Sequence, residues 1–248
     1  MSGMKTILSL AVAGLLLSTV VAAADGAAAP MQADWSGFYV GATAAAQFSS
    51  SHFALPGDTG DALQQTRSNH TSLLGGGLAG YNNQMGSIVL GVEADVMPEG
   101  STSSVTACTV PDGCFTSAHD SFTTLNHLKD AFNARLRARL GWTVGYTLFY
   151  AAAGYSYTDT KLSLVGLCYN PVDPTVPTIY NFDRARNLSG FNLGVGVEQG
   201  LGQHWIIRAE YLFDDFGNQT YPGAAPEWND RRISIIDNTL RVAVGYRF

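Results

Sequence analysis

Between Phe132 and Trp142 the chain runs Phe132, Asn133, Ala134, Arg135, Leu136, Arg137, Ala138, Arg139, Leu140, Gly141, Trp142, apolar at every even position and with arginine at three alternate odd ones. On a strand, neighbouring side chains point to opposite faces, so this order makes one oily and one cationic surface. On a helix the same arginines would spread around more than half the circumference. The segment is therefore a strand, and its two faces need two different environments.

The pattern recurs. Leu90, Val92, Ala94 and Val96 alternate with Gly91, Glu93 and Asp95, while Trp205, Ile207, Ala209, Tyr211 and Phe213 alternate with Arg208 and Glu210. At the C-terminus Leu240, Val242, Val244, Tyr246 and Phe248 oppose Arg241, Ala243, Gly245 and Arg247. Near the start, Phe38, Val40, Ala42, Ala44, Ala46 and Phe48 stand opposite Tyr39, Gly41, Thr43 and Gln47. Two segments, 73–83 and 147–158, are apolar on both faces. The stretch 140–158 carries no charge, but Gly141, Gly145 and Gly154 make it a poor membrane helix.

Strands are expected at 36–48, 73–83, 87–97, 129–142, 147–158, 189–199, 204–216 and 238–248. Short connections at 84–86, 143–146 and 200–203 carry the Gly and polar residues of hairpin turns. Long ones fall at 49–72, 98–128, 159–188 and 217–237. Alternation of long and short connections is the rhythm of a transmembrane barrel with long outer loops and tight periplasmic turns. The expected fold class is all-β: an eight-stranded antiparallel up-and-down transmembrane β-barrel with four long outer loops.

Alternation alone does not say which face meets water, because a soluble barrel carries the same pattern inverted. Composition decides it. Charged residues are 14% of the chain and there are only three lysines, Lys5, Lys129 and Lys161, whereas a water-facing exterior needs many. The polar face holds Gly, Ala, Thr and Asn around a few charges. An eight-stranded interior is only just wide enough for side chains to fill, so glycine opposite arginine makes room. The charges assigned to this lumen are Glu93, Asp95, Arg135, Arg137, Arg139, Glu198, Arg208, Glu210, Arg241 and Arg247. Each needs a partner, because an unpaired buried charge costs several kcal/mol. Trp35, Phe38, Trp142, Tyr146, Trp205, Tyr246 and Phe248 gather where strands meet the short turns and are expected to form half of an aromatic girdle.

The N-terminus supports export. Lys5, an apolar run over 7–21 and Ala22, Ala23 and Ala24 have the form of a signal peptide cut after Ala24. The expected organisation is a signal peptide at 1–24, a periplasmic linker at 25–34 and the outer-membrane barrel at 35–248. An oxidising compartment makes Cys108 and Cys114 a candidate disulfide. Cys168 can compete for that bridge, stay free or pair between chains.

A net charge of −6 provides no basic field for phosphates, so nucleic acid is not an expected partner. Gly75-Gly-Gly-Leu-Ala-Gly80 matches the spacing of a dinucleotide fingerprint but lacks its preceding strand, following helix and acid. No nucleophile elbow or helical zinc motif occurs, and His52, His70, His119, His127 and His204 show no helical metal spacing. Neither a cofactor nor a metal is expected, and the chain is expected not to be an enzyme. The competing enzyme reading is a surface hydrolase assembled from His70, His119, Asp214 or Asp215.

Several motifs together resemble the small outer-membrane β-barrel family of Gram-negative bacteria, OmpA-like and opacity-porin-like, which includes immunogenic surface proteins. They are Trp35-Ser-Gly-Phe-Tyr-Val-Gly41, Ala79-Gly-Tyr-Asn82, Leu90-Gly-Val-Glu-Ala-Asp95, Arg137-Ala-Arg-Leu-Gly141, Gly194-Val-Gly-Val-Glu198, Arg208-Ala-Glu-Tyr-Leu212 and Arg241-Val-Ala-Val-Gly-Tyr-Arg-Phe248. The resemblance covers every expected strand. It implies insertion by the barrel-assembly machinery, with Val242, Val244, Tyr246 and Phe248 as the assembly signal. The cysteine-bearing segment departs from the family's habit. The expected location is the cell outer membrane, with its lipid and lipopolysaccharide as partners. Function divides between a structural surface protein, whose long loops meet a host or surface ligand, and a narrow porin-like channel for small solutes.

Overall fold

The structure, a computed structural model, describes residues 33–55, 64–98, 102–108, 122–168, 178–221 and 231–248. The signal-peptide assignment and Cys114 lie outside the described residues, as does His119.

Nine antiparallel strands follow in order: β1 Gly37–Leu55, β2 Gln64–Met85, β3 Ile88–Pro98, β4 Thr102–Cys108, β5 Phe122–Val144, β6 Thr147–Cys168, β7 Thr178–Leu201, β8 Trp205–Tyr221 and β9 Arg231–Arg247. Eight of them close a ring. β1 pairs with β9, from Tyr39↔Arg247 to Ala54↔Arg232, so the ring keeps no free edge at membrane depth, where lipid offers no hydrogen-bond partners. The ninth, β4, occupies the slot of β3 further up: β3 pairs with β5 as far as Pro98↔Phe132, and β4 resumes at Thr102↔Lys129. Pro98 has no backbone N–H to continue the ladder, which fits the break at this point.

The three periplasmic connections are tight. Gly86, Gly145 and Gly202 have φ of 64°, 61° and 72°, the left-handed conformation that short hairpin loops require and that glycine adopts without strain.

Along each strand the apolar row points outward. Phe38 and Leu136 are each 65% exposed, and Val92, Leu140, Leu193, Val195, Val242 and Val244 are exposed beside them. These side chains face lipid. The two segments apolar on both faces also fit the barrel: Leu74 and Leu78 of β2 and Leu148, Tyr150 and Ala152 of β6 turn inward and are buried.

The strands are longer than expected. β7 has 24 residues and β6 has 22, so much of what was expected as outer loop is strand rising above the membrane band. There the outward row of β7 carries exposed Asn181, Asp183 and Asn187, so the apolar row that betrays a strand in sequence stops. Bulges interrupt the ladders between Asp130 and Asn133 of β5 and between Asp215 and Asn218 of β8. Above them the ring divides. β2 pairs with β3 only from Gly77↔Val96 downward, and β7 with β8 only from Phe191↔Asp215 downward. β8, β9, β1 and β2 therefore rise as one ladder, and β4, β5, β6 and β7 as another.

Candidate functional site, a charged lumen

Register builds the centre of the lumen. Glu93 stands directly opposite Arg137, Asp95 opposite Arg135, Glu198 opposite Arg208 and Glu210 opposite Arg241. Directly opposed residues on antiparallel strands have adjacent side chains on one face, so opposite charges there attract. Sequence alone could not supply these pairings, because they depend on how far each strand slides past its neighbour.

The pairs merge into one network. Glu93 receives Arg208 Nη1 at 2.6 Å, Arg241 Nη2 at 3.1 Å and Arg139 Nη1 at 3.3 Å, and it also pairs with Arg137. Glu198 binds Arg139 and Arg208 at 2.5 Å each, and Glu210 binds Arg137 at 2.8 Å and Arg241 at 2.5 Å. Arg135 bridges Asp95 at 3.1 Å and Asp214 at 2.8 Å. These side chains are essentially inaccessible to solvent.

Five guanidiniums, on Arg135, Arg137, Arg139, Arg208 and Arg241, thus meet five carboxylates, on Glu93, Asp95, Glu198, Glu210 and Asp214. The balance matters, since charges taken out of water are tolerated only when paired and hydrogen-bonded. Two residues stand differently from the sequence reading. Asp214, earlier a candidate hydrolase residue, belongs to this network and also receives Asn192 Nδ2 at 2.8 Å and the Ser156 hydroxyl. Arg247 is buried but sits at the periplasmic mouth, where its Nη2 donates to the Gln203 carbonyl at 2.8 Å.

Tyrosines complete the packing. The Tyr39 hydroxyl donates to Glu93 at 2.7 Å and accepts from Arg139 Nη1 at 2.6 Å, and the Arg139 guanidinium lies 4.0 Å from the centre of the Tyr150 ring. Room for these large groups comes from glycine. A Cβ at Gly196 would stand 2.6 Å from the Tyr150 hydroxyl, and one at Gly194 would stand 2.9 Å from an Arg137 nitrogen. No side chain larger than hydrogen fits at either position without displacing the network.

Below the charges an N-terminal strap closes the mouth. Trp35 was expected in the outer aromatic girdle; it is instead 1% exposed, packed inside with Ala33, Val89, Leu148 and Ile206. Its indole N–H donates to Thr143 at 3.1 Å, its backbone N–H to Gln84 Oε1 at 2.7 Å, and Arg247 lies 5.1 Å from its ring centre. Ala33 N donates to the Gly145 carbonyl at 3.1 Å. The strap thus ties the turns after β2 and β5 together. A parity count from Phe38, which points outward, would have left Trp35 undecided, because it precedes the first strand. Phe38, Trp142, Tyr146, Trp205 and Phe248 are exposed at this end, and Tyr246 is half-buried.

Toward the outer end Phe216, Ile233, Ile235 and Leu188 are buried. Of the hydrolase candidates, Asp214 is taken up by Arg135 at 2.8 Å and Asp215 is spent on the bulge, accepting from Gly217 N at 2.8 Å, while His119 lies outside the described residues. Of the cysteines, Cys108 on β4 and Cys168 on β6 are separated by β5, Cys108 lying opposite Thr123 and Cys168 opposite Phe122. With a strand between them, at roughly 4.8 Å per strand, their Cα atoms exceed the reach of a disulfide. Val242, Val244 and Tyr246, three of the assembly-signal positions, lie on the outward row of β9, and Phe248 follows directly after the strand.

A closed antiparallel ring with a lipid-facing exterior and an ion-paired interior defines an integral outer-membrane β-barrel. Sequence comparison gives the particular family: residues 13–248 match the model of the outer membrane protein beta-barrel domain, and the chain belongs to that family. It is similar to the 31 kDa outer-membrane immunogenic protein of Brucella melitensis, 24% identical over 99% of this chain and 100% of that protein. It is also similar to the 22 kDa outer membrane protein of Rhizobium leguminosarum, 26% identical over 86% of this chain and 78% of that one. The crystal structure of the outer membrane protein OprG from Pseudomonas aeruginosa shares the fold, with a TM-score of 0.51 over 88% of this chain and 98% of that chain at 13% identity. The protein is an outer-membrane surface barrel, and its place is the cell outer membrane.

Proposed function

We propose that the barrel is a non-conducting, non-enzymatic anchor whose long outer hairpins carry the protein's surface interactions. The observation that supports this reading is the filled lumen: five ion-paired arginines above a Trp35 stopper occupy the space a solute would cross. A narrow channel needs water beside its charges, and these are spent on one another. The ligand is a host or surface molecule reached by the outer strands. Outer-membrane lipid and lipopolysaccharide surround the exposed apolar band, and the barrel-assembly machinery acts on the β9 signal.

Hairpin exchange tests the assignment of function. Replacing the upper parts of the β1–β2, β6–β7 and β8–β9 hairpins with short turns should abolish adhesion of whole cells to their target surface, while Arg139→Lys in the lumen should leave it intact. The reading fails if adhesion survives loss of the hairpins and disappears with the lumen substitution.

A further inference from the structure

The outward row does not end where the apolar band does. On β1, Phe48 is exposed beside lipid, opposite Asn238 of β9 and Thr71 of β2. The Tyr211 hydroxyl donates to Asn238 Oδ1 at 2.6 Å, so an amphipathic ring marks the top of the band on this wall. Just below that level Ala44, Ala46, Leu73, Leu240 and Val242 line a shallow apolar groove on the outer surface.

Above it the row turns polar and cationic. β9, β1 and β2 continue it with Ser234, Arg232, Ser50, His52, Asn69 and Arg67, His52 standing opposite both Arg67 and Ser234. No carboxylate occurs at the alternate positions over 232–238, 48–54 or 65–71. Arg232 is exposed and forms no ion pair with any described residue, whereas the arginines of the lumen network all meet carboxylates. On the adjacent β8, Asp215 stands opposite Ile236, but its Oδ1 is taken by Gly217 N at 2.8 Å. The β6–β7 wall across the barrel differs, since Asp159, Lys161 and Asp183 mix both signs there.

Height selects the partner. His52 lies four residues beyond Phe48, about 13 Å along the strand and roughly 10 Å along the membrane normal at the usual strand tilt. Arg232, opposite Ala54, stands roughly 5 Å higher. The headgroup layer on one side of a phospholipid bilayer is only about 5–8 Å deep. A cationic row at this height overreaches a simple phospholipid and meets the sugars of a taller one.

We propose that the outward face of β9, β1 and β2 is a binding site for lipopolysaccharide, with its phosphorylated saccharide on the polar row and an acyl chain in the groove below. The two arginines take phosphate, for which a guanidinium offers paired donors, and the serine and asparagine positions suit sugar hydroxyls.

The inference rests on the surface-barrel reading and names where its glycolipid is held. The test is native mass spectrometry of the full-length barrel released from micelles containing deep-rough lipopolysaccharide, that is, lipid A with its inner-core sugars. Parallel samples carry the same lipid dephosphorylated, or phosphatidylglycerol. The wild type should retain the phosphorylated glycolipid and about tenfold less of either alternative. Arg67→Gln combined with Arg232→Gln should lower that retention about tenfold, while Lys161→Gln on the opposite wall should leave it unchanged. The heat-modifiable band on unboiled gels verifies that each variant is folded. Equal retention of phosphatidylglycerol or of the dephosphorylated lipid, full retention by the double variant, or an equal loss with Lys161→Gln overturns the inference. Hairpin-dependent adhesion can survive any of these outcomes, so the two readings fail separately.

Discussion

Within the membrane band and above it the same strands obey different rules. In the band each residue meets either lipid or a packed lumen, so Leu136 and Arg137, adjacent in sequence, face opposite demands. Above it β6 and β7 continue as strands, yet Asn181, Asp183 and Asn187 face water, and even the ladder to β8 is dispensable. Backbone closure, not strand propensity, is what the membrane enforces. Where water replaces lipid, an edge is permitted and the ring divides.

Arg137→Ala has the largest expected effect, because it leaves Glu93, Asp95 and Glu210 short of a guanidinium: about 3–5 kcal/mol of lost stability, read from urea unfolding in vesicles. On the opposite face, Leu136→Arg should cost about 2–4 kcal/mol in the same assay, the penalty for a cation against lipid. Equal tolerance of both would mean that the faces are misassigned. Gly196→Val forces Tyr150 to move and should cost about 1–3 kcal/mol, seen as a lower heat-modifiability midpoint on unboiled gels. Above the band, Asn187→Ala should change stability by no more than about 0.5 kcal/mol.

The smallest effect concerns pH. The Ser36 backbone N–H, 2.9 Å from Asp34 Oδ1, holds the Asp34 carboxyl below its ordinary range, with Arg247 adding to the shift. A lowered carboxyl contributes stability above its unfolded value, near 3.9, and loses it as pH falls through the folded one. Asp34→Asn should therefore lower the neutral unfolding midpoint slightly and flatten its acid-side decline below about pH 4.

Much of the band is legible in the sequence because it imposes a period. The alternation over 132–142 gives strand, faces and lumen charges from side-chain type alone. Asp214 escapes that logic. It lies on the inward parity of β8, two places beyond Leu212, but next to Asp215 near an expected loop it looks solvated. Arg247 has the right parity, yet its height at the strand's end takes it to the mouth and Trp35. The strap escapes because a single tryptophan before the first strand has no periodic neighbours, and its burial depends on the turns after β2 and β5 meeting in space. The strand extensions escape because β7 above Gly190 has no apolar row to read.

The lumen is filled by its own ion pairs. Single-channel recording of the purified barrel in a planar lipid bilayer tests it most directly. A filled lumen gives the wild type a trace indistinguishable from that of the bare membrane. Reproducible current steps from the wild-type protein, lost when the arginine row is neutralised, would contradict it.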